Sequence, residues 1–496
     1  MAIKIAMIGA GSLGFTRRLM ADLLTVPELQ DTQFWFMDIN KHNLDMVTQI
    51  CKRDVAASKF PATITATLDR KKAIAGADYV VSTIRHGGLE AFKHDVEIPL
   101  KYGVDQCVAD TLCAGGITYA QRHIPVLLDI AKDIRALAKP NCLFANYANP
   151  MAMNTWAVNR YGGVRHVGLC HGVEHGFHQI CMALGIPQKE TDFICAGINH
   201  QTWYVNVTHK GKDMLPKILA AFEKHPDLSK QEKVRIDMLR RFGYYSTESN
   251  GHLSEYVPWY RKRPAEIKNW VDLGCWIWGE TGGYLRVCTE GRNWFEKEFP
   301  NMLKQPPMEI KAEKRSSEHF SWIVEAEQTG RLYRGHFNVQ NDGYITNIPQ
   351  SCSVEIPCFV DRLGIHPQRV GDLPLACAGV LRNSISAQEL GMEAAVHGDI
   401  ERFRQALMLD PLTAAVCDPN EIWQMADELL VATSPWLPQY SKKTIADAQK
   451  RLKENPPVYR RAGKGLRVKP KPAPKAKKGT DMHKMLEESG TGKKRK

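Results

Sequence analysis

The chain has 496 residues, 44% of them hydrophobic and 24% charged, which is too long for one small core and fits a globular protein of two packed domains with extras. No apolar run reaches the length of a membrane span, and the first residues lead straight into a strand and a glycine-rich turn, so neither a membrane span nor a secretory leader is expected and the chain is placed in the cytoplasm. The net charge of +12 suggests a nucleic-acid partner until it is located: residues 457–496 hold 14 Lys/Arg against 3 Asp/Glu, leaving a nearly neutral body with no reason to bind DNA or RNA.

In chain order, Lys4 to Ile8 is an apolar run that fits a buried parallel strand. The turn Gly9 to Gly14 follows, then a helical stretch from Phe15 to Leu24, with Pro27 closing it. Gln33 to Met37 is a second strand, ending at Asp38. Further strands are predicted over Thr63–Leu68, Asp78–Ile84, Asn141–Ala145 and Arg165–Leu169, with a helix over Tyr119–Ala138 between the fourth and fifth. Strands alternating with helices predict an α/β fold with a doubly wound, Rossmann-type sheet. This N-terminal domain is assigned residues 1–184. After it, Ile194–His209 alternates like an antiparallel pair, and a second pair is predicted around Ile345 and Val354–Phe359. A mixed α+β domain is assigned residues 185–455. A basic, low-complexity tail over 456–496 is predicted to be disordered. The 13 cysteines follow no framework spacing and are read as reduced, mostly buried thiols, with one of them a candidate metal or catalytic ligand.

Gly9-Ala10-Gly11-Ser12-Leu13-Gly14 has the Gly-x-Gly-x-x-Gly spacing between a strand and a helix. The glycines allow the tight turn and the close approach of a pyrophosphate, and the helix N-terminus offers backbone N–H groups to it. Asp38 ends the second strand, where an acid accepts from ribose hydroxyls and repels a 2′-phosphate, so the expected cofactor is NAD. Cys170-His171 ends the sixth strand on the ligand-binding edge of the sheet, and His200 lies thirty residues on. Cys and His are ligands for a divalent transition metal.

These segments, with Ala109-Asp110-Thr111-Leu112, Asn146 to Trp156, Ala196 to His200, Thr247-Glu248-Ser249, Glu255-Tyr256 and Asn347 to Gln350, resemble glycoside hydrolase family 4, the NAD- and manganese-dependent glycosidases. The likeness covers nearly everything to about residue 440. It implies that a hydride leaves C3 of the sugar for NAD, a base removes the C2 proton, the C1 group is eliminated, water adds, and the hydride returns. Carried over, Cys170 and His200 hold Mn2+ or another divalent transition metal. Asn149 contacts the sugar, His171 protonates the leaving oxygen and Asp110 tunes the base. Tyr256 is the first choice for that base, with Glu255 and His252 as alternatives. His171 after the ligand Cys resembles the branch acting on unphosphorylated glycosides. Gly172 resembles α-glucuronidases, leaving room beside C5–C6, whereas the Asn-Pro-Met-Ala-Met-Asn-Thr-Trp and Thr-Glu-Ser runs resemble α-galactosidases. An α-galactosidase is the first reading. An α-glucuronidase or α-galacturonidase, with Arg85 or Arg286 on the carboxylate, is the second, and an NAD-dependent sugar dehydrogenase the third. A small glycoside is the expected partner, with a homodimer or homotetramer as the assembly.

Overall fold

The computed structural model describes residues 2–460 and 465–467. Six parallel strands form its first half: β1 (Lys4–Ile8), β2 (Gln33–Met37), β3 (Thr63–Thr67), β4 (Tyr79–Ser82), β5 (Leu143–Asn146) and β6 (Arg165–Gly168). They lie in the order β3-β2-β1-β4-β5-β6, the doubly wound order of a Rossmann-type sheet. β1, β4 and β5 are almost wholly buried, as central strands covered on both faces must be.

The sheet does not stop at β6. Six further strands continue it: β7 (Thr191–Ile198), β8 (Gln201–His209), β9 (Lys212–Asp213), β10 (Tyr333–Gln340), β11 (Ser353–Asp361) and β12 (Gly364–Pro367). The order runs on from β6 through β10, β11, β7, β8 and β9, with β12 beside β11. The joints are narrow. Asn338 of β10 meets Gly168 of β6, and Glu355 of β11 meets Gly197 of β7. One hydrophobic cluster nevertheless spans both halves, from Ile5 and Met7 on β1 through Ile198 on β7 to Val354 and Ile356 on β11.

The expected antiparallel pair over 194–209 is present as β7 and β8. The second pair differs from expectation: the partner of Ser353–Asp361 is Tyr333–Gln340, and Ile345 makes only an isolated bridge to Gly371. Asn341 explains the difference. Its side chain bonds the Ile345 N–H and the Ile345 and Pro349 carbonyls, turning the chain out of the ladder. The helix expected from Tyr119 begins earlier, at Cys113, and runs to Leu137. Gly115 and Gly116 stand in its first turn, where the helix start presses on the preceding loop. A Cβ at Gly116 would lie 2.4 Å from the Thr111 carbonyl carbon.

All 13 cysteines are free, and all but Cys288 are buried. Among the described residues no helix is long and apolar enough to cross a membrane. The start of the expected tail lies against the body: Tyr459 stands edge-on to Tyr102, Arg460 pairs with Glu421, and the Leu466 N–H donates to Thr281 Oγ1 at 2.9 Å. Residues 461–464 and 468–496, where the rest of that tail was expected, lie outside the described residues.

The Gly116 contact is with backbone, which cannot rotate away. Gly116→Ala is expected to cost about 1–3 kcal/mol, read as a lower melting temperature in scanning calorimetry. An unchanged melting temperature would mean that the loop under the helix yields freely.

Candidate active site

Cys170 lies two residues beyond β6, at the carboxyl edge of the parallel strands, where open α/β sheets place their ligands. His200 is the second residue of the two-residue turn from β7 to β8, with φ at +62°. A left-handed backbone at a residue with a side chain is uncommon and gathers at functional sites. Glu248 precedes Ser249, which caps the short helix Asn250–Tyr256 by accepting from the His252 N–H. The Cys170 Sγ, a His200 ring nitrogen and a Glu248 carboxylate oxygen all lie within 4.8 Å of one another. Glu248 Oε2 is 3.1 Å from His200 Nε2 and 3.8 Å from Cys170 Sγ. Asp110, His200 and His252 form a second group of the same compactness. All five side chains are buried.

Thiolate, imidazole and carboxylate together suit a first-row transition metal, so the residues fit the expected ion. Burial and the Glu248 carboxylate push the Cys170 thiol well above its ordinary value. Burial alone would raise Glu248, but the imidazoles of His200, His252, His171 and His175 hold it down at about 2. The Glu248 carboxylate therefore brings a negative charge to the point where it meets His200 and Cys170.

Asp110 approaches from the loop before the Cys113–Leu137 helix. One of its oxygens accepts from Thr111 Oγ1 at 2.8 Å and the other from Asn149 Nδ2 at 3.1 Å. The same Thr111 oxygen is 2.9 Å from His200 Nδ1. Asn149, Asp110, Thr111 and His200 are thus one chain of hydrogen bonds. Tyr256 is fully buried beside Thr111, and its hydroxyl has no partner in hydrogen-bonding geometry. Burial, with Glu255 and Asp110 nearby, pushes this phenol well above its ordinary value. His252 stands 5.1 Å from His200, ring to ring, and burial lowers it to about 4. His171 is half exposed, with Nδ1 3.7 Å from Glu318 at the mouth of the site.

Two expectations change. Glu255, an alternative for the base, is turned away from the chemistry. It accepts from the backbone N–H groups of Cys107, Val108 (2.9 Å) and Ala109 (3.0 Å). Burial still raises it to about 7 against those bonds. The room that Gly172 was expected to leave is occupied: a Cβ there would lie 2.2 Å from Glu248 Oε2. Of the two arginines considered for a carboxylate, Arg286 is saturated by Glu280 and Glu290. Arg85 donates one nitrogen to the Tyr284 hydroxyl and keeps Nη1 buried and unpaired, within electrostatic reach of Asp110.

At the other end, Gly11, Ser12 and Gly14 line a cavity of about 370 Å³ with Asn40, His42 and the 291–296 segment. Gly9 sits at φ +93°, and a Cβ there would lie 3.0 Å from the Thr83 carbonyl carbon. Asp38 accepts from the Gly11 and Asn40 N–H groups, both at 2.8 Å. The dinucleotide turn therefore has its expected shape, with the acid at its rim.

Sequence reasoning missed Thr111 and Glu248 as site residues. Both stood in resembling segments, but nothing in their spacing linked positions 89 and 48 residues away from His200.

The family model described as "Family 4 glycosyl hydrolase" matches residues 4–186, and that of the "Family 4 glycosyl hydrolase C-terminal domain" matches 195–413. An α-galactosidase of Rhizobium meliloti (strain 1021) is 56% identical over 452 residues, covering 91% of this chain and 92% of the relative. An α-galactosidase of Bacillus subtilis (strain 168) is 36% identical over 439 residues, covering 88% and 99%. A 6-phospho-α-glucosidase from gut microorganisms, solved with NAD and glucose-6-phosphate, superposes with a TM-score of 0.73 at 22% identity, covering 89% of this chain and all of that one.

Glu255→Gln leaves one acceptor for three buried N–H groups. It is expected to lower unfolding stability by about 2 kcal/mol or more, measured by urea titration. Stability equal to the parent would show that the 107–109 loop is held by something else.

Proposed function

The chain belongs to glycosyl hydrolase family 4, and we propose that within it this protein is an α-galactosidase that oxidises and re-reduces its sugar in each turnover. The observation that carries the sugar assignment is the 56% identity over 452 residues to an α-galactosidase, spread over nearly the whole of both chains.

When bound, NAD supplies a hydride acceptor and donor for C3, and a divalent ion such as Mn2+ supplies a Lewis acid for the C2 and C3 oxygens. The Gly9–Gly14 turn and Asp38 hold the dinucleotide, and Cys170 and His200 hold the metal. Tyr256 removes the C2 proton. Its phenol is pushed up by burial, so it works as a base only with a cation beside it. Asp110 fixes Asn149 through one oxygen and Thr111 through the other, leaving the Asn149 amide oxygen for a sugar hydroxyl. His171, half exposed at the mouth, is placed to protonate the departing oxygen on the side from which the aglycone leaves. Residues 1–184 serve mainly as the cofactor domain and 185–455 as the substrate and metal domain, with the site built from both. The protein works in the cytoplasm as a homodimer or homotetramer on small galactosides.

A second reading, a galacturonidase, has one feature in its favour: the unpaired, buried Nη1 of Arg85. The two separate in one assay. With NAD, Mn2+ and reductant, p-nitrophenyl α-galactoside is expected to be cleaved at least about tenfold faster than the α-galacturonide. NADH should stay far below nitrophenol. Preference for the uronide would install the second reading, and NADH rising mole for mole with product would make the protein a dehydrogenase.

Tyr256→Phe is expected to abolish exchange of the substrate C2 proton with deuterated solvent while NAD still binds. Undiminished exchange would remove Tyr256 as the base.

A further inference from the structure

We infer that Glu248 is a third protein ligand of the divalent ion, and that Thr111 is the positioning residue that aims His200 at it. This rests on the metal-dependent reading above and extends it to two residues that reading does not place at the metal.

A carboxylate accepts hydrogen bonds and cannot donate them, whereas a hydroxyl has one proton and two lone pairs. Thr111 Oγ1 lies 2.8 Å from Asp110 Oδ1 and 2.9 Å from His200 Nδ1. Its single proton belongs to Asp110, because two oxygens at that distance need a proton between them. Thr111 then has only lone pairs left for His200, so Nδ1 carries a hydrogen and donates it. A neutral imidazole protonated on Nδ1 presents a lone pair at Nε2. That lone pair faces Glu248 Oε2 at 3.1 Å, and Oε2 is also an acceptor. Cys170 Sγ stands 3.8 Å from the same oxygen. His200 Nε2 and Glu248 Oε2 meet with no proton between them, and the third atom, Cys170 Sγ, donates its thiol proton to the same oxygen when no metal is bound. A divalent cation satisfies all three at once. Ligands about 2.0–2.3 Å from a metal stand about 3–4 Å from each other, and 3.1 and 3.8 Å fall in that span.

Gly172 supplies an independent constraint. Its N–H lies 3.4 Å from Cys170 Sγ, where it favours a thiolate. Its missing Cβ is the space that Glu248 fills, since a methyl there would be 2.2 Å from Oε2. The glycine after Cys170-His171 is thus paired with a glutamate 76 residues away, and a side chain at 172 would evict the third ligand.

The competing account is that His200 is an imidazolium in a salt bridge with Glu248, the metal being held by Cys170 and His200 alone. Mn2+ binding to the purified full-length chain, followed by electron paramagnetic resonance without substrate, separates the two. Glu248→Gln is expected to weaken Mn2+ binding by about 100-fold, and Thr111→Val by about tenfold or more, as loss of a partner that orients a ligand histidine does. Thr111→Ser, which keeps the hydroxyl, is expected to bind as the parent does. Gly172→Ala should behave like Glu248→Gln. In the Co2+-substituted chain, the thiolate charge-transfer band should persist in Glu248→Gln while the ligand-field spectrum changes, reporting loss of one oxygen donor with Cys170 still bound. Circular dichroism of each variant confirms the fold, and Thr111→Val provides the test if Glu248→Gln does not fold. Mn2+ affinity within twofold of the parent in Glu248→Gln, or in Thr111→Val, overturns the inference. A parent chain that binds no Mn2+ would instead overturn the metal-dependent reading beneath it.

Discussion

One buried carboxylate organises this site without touching the chemistry. Glu255 accepts three consecutive backbone N–H groups, those of Cys107, Val108 and Ala109, and so fixes a stretch of irregular chain deep inside the molecule. Irregular backbone cannot be buried unless its polar groups are met, and here no helix or strand meets them. The residues on either side are held in the same way. Asp105 takes the Arg261 guanidinium and the Thr281 hydroxyl, and Gln106 bonds both the Asp95 carbonyl and the Gly115 N–H. The chain therefore emerges at Asp110 and Thr111 with little freedom, which is the condition for aligning His200 to within a hydrogen-bond length. A site that binds a metal by geometry needs such rigid support behind its ligands.

The same constraint explains why the two halves share a sheet and a core. Cys170 leaves β6 of the parallel half, whereas His200 and Glu248 come from the half beyond β7. Ligands contributed by two hinged bodies would part whenever the hinge opened. The narrow joints at Gly168 and Gly197 are closed instead by a hydrophobic cluster that runs through both halves. Glycine at those joints is a requirement of close approach: a Cβ at Gly168 would lie 2.3 Å from the Thr155 hydroxyl, and one at Gly197 2.6 Å from the Gln201 carbonyl oxygen.

What the sequence made legible follows from the range of the forces involved. The central strands β1, β4 and β5 were readable because burial on both faces writes an apolar run into them. The Gly9–Gly14 turn was readable because its chemistry is local. Cys170 and His200 were proposed as ligands through resemblance, since neither stands out alone, and the structure brings them together with Glu248. The failures were at places where a distant part of the chain decides. The helix expected from Tyr119 starts at Cys113, and its Gly115 and Gly116 let the Thr111 backbone pass against it. Ile345 belongs to a strand by composition and is pulled out of it by the Asn341 side chain. Glu255 and Tyr256 are neighbours on a seven-residue helix, and adjacent helical positions do not share a face. One therefore props the loop while the other borders the site. Gly172 looked like empty space because its occupant is 76 residues away.

That occupant also bears on what the site can hold. On the proposed assignment, the Cys170 thiolate and the Glu248 carboxylate bring two negative charges and a divalent ion brings two positive ones. Asp110 faces Arg85, whose Nη1 is otherwise unpaired. The interior is then close to neutral before a substrate enters. Charge taken into such a volume without a partner is costly. A galactoside adds none. A uronide adds a carboxylate, and the Arg85 charge that would meet it already lies within electrostatic reach of Asp110. On the proposed cycle the hydride taken from C3 returns to it and C2 regains a proton from solvent, so turnover leaves the charge of the site as it was. A reaction that borrows and restores its electrons is the kind that a buried, balanced site of this construction can run repeatedly.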